Sequence, residues 1–193
     1  MRRFLRKPAS ERDPLTVTMS GVRLGERVLQ FGSGDARSIA LIAAKTGLTG
    51  TAAIVVVDDH AAVRIRRAVT DAGALVDLRV VAEGRLPFDD ASFDAVVIHD
   101  VSAITEGQGD RPTHWLHECH RLLRSGGRIV TIERGTPVGL RSLFAGRPSP
   151  EDRIVRVGSG WPTFEALRAA GFTTVRDLAD REGLRFTEGF KTD

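Results

Sequence analysis

The stretch Arg27-Val28-Leu29-Gln30-Phe31-Gly32-Ser33-Gly34-Asp35 restricts the fold more than any other part of the chain. Residues 27–31 read as a short buried strand running into a glycine turn. A helix is expected over 35–44, with Ile39, Leu41, Ile42 and Ala43 on its apolar side. Gly32 and Gly34 permit backbone torsions that a side chain would forbid, so the loop can press closely on a ligand. Asp35 stands where a helix cap is needed. Strand, tight glycine loop and helix in this order open a nucleoside-binding α/β domain.

The pattern repeats along the chain. Residues 51–57 (TAAIVVV) form a β-branched run, as in a buried parallel strand, and end on Asp58-Asp59. A helix is expected over 60–72, a strand over 75–81, a loop over 82–92 and a fourth strand over 93–98. Pro112 opens a helix reaching residue 124. Ser125-Gly126-Gly127 is read as a sharp turn into a fifth strand over 128–132. Residues 135–160 are rich in Gly, Pro, Ser and Arg and are read as a loop holding a short helix over 138–144. After a helix over 163–170, residues 172–178 and 184–190 read as two strands joined near Arg181-Glu182-Gly183. Ahead of the first strand, residues 14–21 are expected to lie as a short helix against the domain, anchored by Leu15, Val17, Met19 and Val22. The fold class is therefore α/β: a seven-stranded, mostly parallel sheet with a C-terminal antiparallel hairpin and helices on both faces.

Composition sets the outer bounds. The 193 residues, 41% of them hydrophobic, suit a single domain over 14–193. A single cysteine, Cys119, excludes an internal disulfide and points to a cytoplasmic setting. No apolar run is long enough for a membrane span. The net charge is only +3, yet Arg2, Arg3, Arg6 and Lys7 crowd the start. Residues 1–13 are read as a basic, flexible arm too charged for a secretory signal, with weak contact to an anionic surface as the sharper alternative. A homodimer is compatible with the sequence. Tyr is absent and Phe and Trp are few, so base-stacking platforms for nucleic acid are not evident.

Taken together, VLQFGSGDA, VVVDDH, GRLPFDDASFDAVVIHD and HECHRLLRSGGRIVTIE, in this order and spacing, resemble the class I S-adenosylmethionine-dependent methyltransferases. The likeness runs from about residue 24 to 190 and favours the group acting on small molecules such as quinone precursors and lipids. It implies a Rossmann-like fold, S-adenosylmethionine as cofactor with S-adenosylhomocysteine as product, and a small-molecule or lipid-like acceptor. By this resemblance the cofactor-binding residues are Gln30, Gly32, Ser33, Gly34, Asp58, Asp59, Ala82, Glu83 and His99. S-adenosylmethionine has two vicinal ribose hydroxyls and no phosphate, and the Asp58 carboxylate at the end of the second strand can accept from both. Asp59 is then the expected cap of the following helix. The chain departs from the family at Gln30 and at Ala82, both commonly acidic, and at Ala36, commonly glycine. A methyltransferase-like binding protein without turnover is the alternative reading. A nicotinamide-dependent oxidoreductase would want glycine where Arg37 stands.

Methyl transfer from a sulfonium needs in-line placement of the nucleophile and, for a hydroxyl or activated carbon, a base. His99 and Asp100 follow the fourth strand, at the edge where open α/β sheets bind ligands, and are the candidate catalytic pair. The alternative has His99 packed under the adenosine and Asp100 as a cap. His114, His117 and His120 are read as solvated residues on a helix, so no metal site is assigned. Trp115 and Trp161 pack under loops or line the acceptor pocket, and acceptor specificity is expected in residues 101–112 and 135–160.

Overall fold

The computed structural model describes residues 14–81, 84–99, 111–134 and 164–193. Seven strands form one sheet: β1 (Arg27–Phe31), β2 (Thr51–Val56), β3 (Asp77–Val80), β4 (Phe93–His99), β5 (Leu123–Arg134), β6 (Thr173–Arg181) and β7 (Leu184–Phe190). Five helices accompany them among the described residues: α1 (Leu15–Met19), α2 (Ala36–Lys45), α3 (Asp59–Asp71), α4 (Arg111–Leu122) and α5 (Phe164–Ala169). The strand order is β3-β2-β1-β4-β5-β7-β6. Strands β1 to β5 pair in parallel, and β7 lies antiparallel between β5 and β6. The chain leaves the β3 edge and crosses to β4 on the other side of β1. This reversal opens a crevice at the carboxyl ends of β1 and β4, the place where such sheets bind ligands.

Strand periodicity sends alternate side chains to opposite faces. From β1, Leu29 and Phe31 join Val96, Ile98, Trp115 and Leu116 on the α4 face. Val28 joins Val17, Ile42, Val97, Ile132 and Phe186 on the α1–α2 face. A third cluster, with Ile39, Ile54, Val56, Ile65 and Val69, seals α2 and α3 against β2. The expected anchors of α1 hold: Val17 and Val22 are buried, and Leu15 and Met19 pack against the same cluster.

Several boundaries differ from the sequence reading, each for a local reason. Ser125-Gly126-Gly127 does not precede the fifth strand but lies within it. Pairing starts at Phe93↔Leu123 and resumes at Ala95↔Arg128, so five residue steps on β5 face two on β4. The excess is taken up as a bulge, with Gly126 at φ +71°. Helix α4 accordingly stops at Leu122, because Leu123 is already in the sheet. β3 is shorter than expected, as befits a strand that is paired, among the described residues, only to β2. The terminal hairpin turns on Glu182 (φ +56°) and Gly183 (φ +72°), two left-handed residues whose twist matches that of the flanking strands. The basic arm 1–13, the short helix over 138–144 and the loops 101–110 and 135–160 fall outside the described residues.

The segment between β3 and β4 is tied down by α4. Arg121 donates to the carbonyls of Leu86 (3.1 Å) and Phe88 (3.0 Å) and pairs with Asp90 (2.6 Å) and Glu118 (2.8 Å). Glu118 in turn accepts from the Leu86 amide at 2.9 Å. One guanidinium thus bonds two loop carbonyls, of which that of Leu86 also accepts from the Phe88 amide at 2.8 Å.

Gly32 sits at φ +106°, and a Cβ placed there would collide with the His99 carbonyl oxygen. Gly32→Ala is expected to destabilise the fold by about 2–4 kcal/mol, combining backbone strain with a clash against main chain; an unchanged denaturant midpoint would contradict it. Burial pushes the Glu133 carboxyl up to about 7, against the pull of Arg185 and with a further push from Asp177. The folded state therefore holds this proton longer than the unfolded chain does. The stability it contributes is complete below about 4.5 and is lost as pH rises towards about 7. Glu133→Gln should flatten the decline in unfolding midpoint across that window, and identical pH profiles for both proteins would exclude the effect.

Candidate active site

The site begins where β1 stops. The Gly32 amide still donates to Val55 of β2 at 3.0 Å, so the turn starts while anchored to the sheet. Asp35 caps α2, its Oδ2 accepting from the Ser38 amide (2.8 Å) and hydroxyl (2.7 Å). Burial works against the charge on Asp35. The Ser38 bonds, together with Arg37, prevail and hold the carboxyl below its ordinary value.

Asp58 occupies the corresponding position after β2. It, rather than Asp59, caps α3, with Oδ1 accepting from the Ala61 amide at 2.7 Å. Asp59 is already the first helical residue, where its charge favours the helix N-terminus. The expectation that Asp59 is the cap is thus corrected: the extended backbone of Asp58 (φ −140°) is what lets its side chain fold back on the helix. Among the described residues the second oxygen of Asp58 takes no hydrogen bond, and the side chain is exposed.

Register brings Gln30 and His99 together. Gln30 pairs with Val97 of β4, and His99 lies two residues beyond Val97, so both side chains leave the sheet on the α2 face. The Gln30 amide nitrogen donates to the Ile39 carbonyl of α2 at 2.9 Å, and its oxygen lies 2.9 Å from Nε2 of His99. Gln30 is fully buried and His99 is only 3% exposed. Both ends of the Gln30 amide are therefore engaged within the protein. The glycine loop closes over the histidine: a Cβ on Gly34 would lie 2.9 Å from Cβ of His99.

A cavity of about 460 Å³ opens beside this pair. Its wall includes Thr16 of α1, Asp35 and Ser38 of the α2 cap, His99, Ile132 of β5 and the Glu182–Leu184 turn of the terminal hairpin. The volume suits a small organic molecule. Local sequence signals did not mark Thr16, Ile132 or the hairpin turn as site residues; they meet only because the sheet inserts β7 beside β5.

Other candidates find different surroundings. Trp115 is buried against Phe31, ring centroids 4.9 Å apart, and so belongs to the core. His114 bonds the Gly84 carbonyl at 3.2 Å, His117 is exposed and His120 is half-buried edge-on against Phe172. His120 is thus not a solvated residue. Among the described residues no group of His, Cys, Asp or Glu is arranged to hold a metal. Burial, aided by Glu118, pushes the Cys119 thiol up to about 12 and leaves it inert. Ala82, Glu83, Asp100 and Trp161 fall outside the described residues.

Comparison with known proteins places these features in a family. Residues 29–131 match the model of a family described as a methyltransferase domain. The ubiquinone/menaquinone biosynthesis C-methyltransferase UbiE of Citrobacter koseri is 27% identical over 126 residues, covering 64% of this chain and 48% of that protein. The demethylmenaquinone methyltransferase of Clavibacter sepedonicus is 29% identical over 173 residues, covering 78% of this chain and 67% of that protein. The chain thus spans about half the length of the UbiE relatives it matches. Among solved structures, a SAM-dependent methyltransferase from Aquifex aeolicus superposes with a TM-score of 0.65 at 17% identity, covering 90% of this chain and 86% of that one. The [4+2]-cyclase SpnF superposes at 0.61 and 17% identity, covering 92% and 79%. With more than half of its length matched by the family model, and with that family's fold around the glycine loop, this chain belongs to the methyltransferase domain family and has the Rossmann-like fold of the class I S-adenosylmethionine-dependent methyltransferases.

Proposed function

We propose that the protein transfers a methyl group from S-adenosylmethionine to a small, partly apolar acceptor. The observation that carries this reading is the crevice at the β1–β4 reversal, where the glycine loop, the Asp58 carboxylate and the His99-lined cavity share one edge of the sheet. The residues present fit the cofactor. Asp58 keeps one oxygen clear of its capping bond for the ribose hydroxyls, and Ser33 and Gly34 are half-exposed, offering backbone groups to the methionine end. Ala82 and Glu83 are assigned to the adenine side. When bound, S-adenosylmethionine supplies an electrophilic methyl on a sulfonium and leaves as S-adenosylhomocysteine.

His99 takes the proton released by the acceptor, and Asp100 is assigned to orient it. Leu15, Ile132 and Leu184 give the cavity an apolar side. That side, and the likeness to quinone-biosynthesis C-methyltransferases, support an aromatic or lipid-like acceptor. A second reading, ligand binding without turnover, is favoured by Gln30, whose amide is engaged internally where the family commonly presents an acid. The cyclase among the structural neighbours shows that this architecture does not dictate one reaction.

Calorimetric titration with S-adenosylmethionine and S-adenosylhomocysteine tests the reading, and no heat of binding at about millimolar ligand would overturn it. Asp58→Ser should lower affinity for both ligands by about tenfold or more, because the shorter side chain withdraws the carboxylate from the ribose. Serine still caps α3, so the thermal midpoint should stay close to that of the wild type. Unchanged affinity in that variant would remove Asp58 from the site.

A further inference from the structure

We propose that Thr16 is a specificity-determining residue whose hydroxyl donates a hydrogen bond to an oxygen of the acceptor held in the cavity. That the ligand is a methyl acceptor rests on the proposed transfer reaction, whereas the contact itself does not.

Buried hydroxyls are normally bonded, because an unpaired one has lost its water and gained nothing in return. The neighbourhood of Thr16 follows this rule. Ser20 donates to the Val17 carbonyl at 2.8 Å, and Thr46 donates to the Ala43 carbonyl at 2.8 Å. Thr16 and Thr131 depart from it: both are buried, and among the described residues neither hydroxyl has a partner. Of these two, Thr16 stands on the cavity wall and Thr131 does not. A threonine inside a helix bonds the carbonyl one turn back. Thr16 is the second residue of α1, so no helical turn stands behind it. The helix that carries it is nonetheless fixed. Val17 is buried in the core, and Lys45 donates to its carbonyl at 3.4 Å.

The balance of donors and acceptors on the wall says what the hydroxyl is for. At neutral pH the carboxylates of Asp35 and Glu182 can only accept. The Ser38 hydroxyl gives its proton to Asp35 at 2.7 Å. Apart from His99, whose ring bonds Gln30, Thr16 is the side chain of the described wall with a proton to give. An accepting oxygen on the ligand, as in a carbonyl or a phenolate, is the chemistry that needs such a donor. A helical threonine populates two χ1 rotamers, and the step between them turns the shielded hydroxyl towards a ligand. Leu15 and Ile132 then seat the hydrocarbon part beside it.

Two fragments test the proposal on the full chain. Acetophenone has a carbonyl that only accepts, and ethylbenzene has a similar outline with no hydrogen-bonding group. Their affinities are read by 15N-detected chemical-shift titration. Thr16→Val keeps the branched shape and removes the hydroxyl, so it should lower the ratio of acetophenone to ethylbenzene affinity by about fivefold. Thr16→Ser keeps the hydroxyl and should retain the wild-type ratio. An unchanged ratio in T16V, a ratio in T16S as low as in T16V, or wild type that binds neither fragment overturns the proposal. Because the hydroxyl has no partner to lose, T16V should unfold at the same temperature as wild type or higher. A lower midpoint or a failure to fold makes the hydroxyl a structural bond and overturns the proposal. Affinity for S-adenosylhomocysteine should change by less than about twofold in T16V, and a larger loss places Thr16 on the cofactor and overturns it. Wild type that binds acetophenone through Thr16 but binds no S-adenosylhomocysteine supports the contact and overturns the methyltransferase reading.

Discussion

The close approach of Gly32 to the His99 carbonyl governs the geometry of the carboxyl edge. Strands β1 and β4 run in register from Val28↔Ala95 to Phe31↔Ile98. At the next step the glycine turns away with a left-handed torsion while β4 continues to His99. A side chain at position 32 would push the two strand ends apart. Because none is there, His99 follows β4 into the space behind the glycine loop, where its ring meets Gln30 on one side and Gly34 on the other.

Helix starts supply the second constraint. In parallel crossovers each helix begins at the carboxyl edge of the strand before it, so the amino ends of α2 and α3 gather around the same crevice. Each is capped by an aspartate, Asp35 and Asp58. Capping thus brings two carboxylates to this edge of the sheet. Helix order after β1 and β2 and the charge distribution of the crevice are therefore linked. On the opposite face, Arg121 fastens the segment leading into β4 to α4, which steadies the strand that delivers His99.

The alternation of strand and helix, the position of the glycine loop and the terminal hairpin were legible in the residues. They depend on local period, on β-branched runs and on turn residues, and these act over a few neighbours. The boundaries that moved did so through long-range pairing. Gly126 and Gly127 look like a turn by composition, yet Leu123 and Arg128 engage the sheet on either side of them and convert the turn into a bulge. The capping role passed from Asp59 to Asp58 because α3 starts one residue earlier than its apolar pattern suggests.

By itself the sequence determined the class of fold, the glycine loop, the acidic end of β2 and the presence of a histidine after β4, because each is written in contiguous residues. Only the tertiary structure decided that Gln30 and His99 share a hydrogen bond. It alone decided that Ile39 orients the amide between them and that Thr16, Ile132 and the Glu182–Leu184 turn complete the cavity wall. The physical reason is register and strand order. A one-residue slip between β1 and β4 would send Gln30 and His99 to opposite faces, and no local propensity specifies which strands will be neighbours.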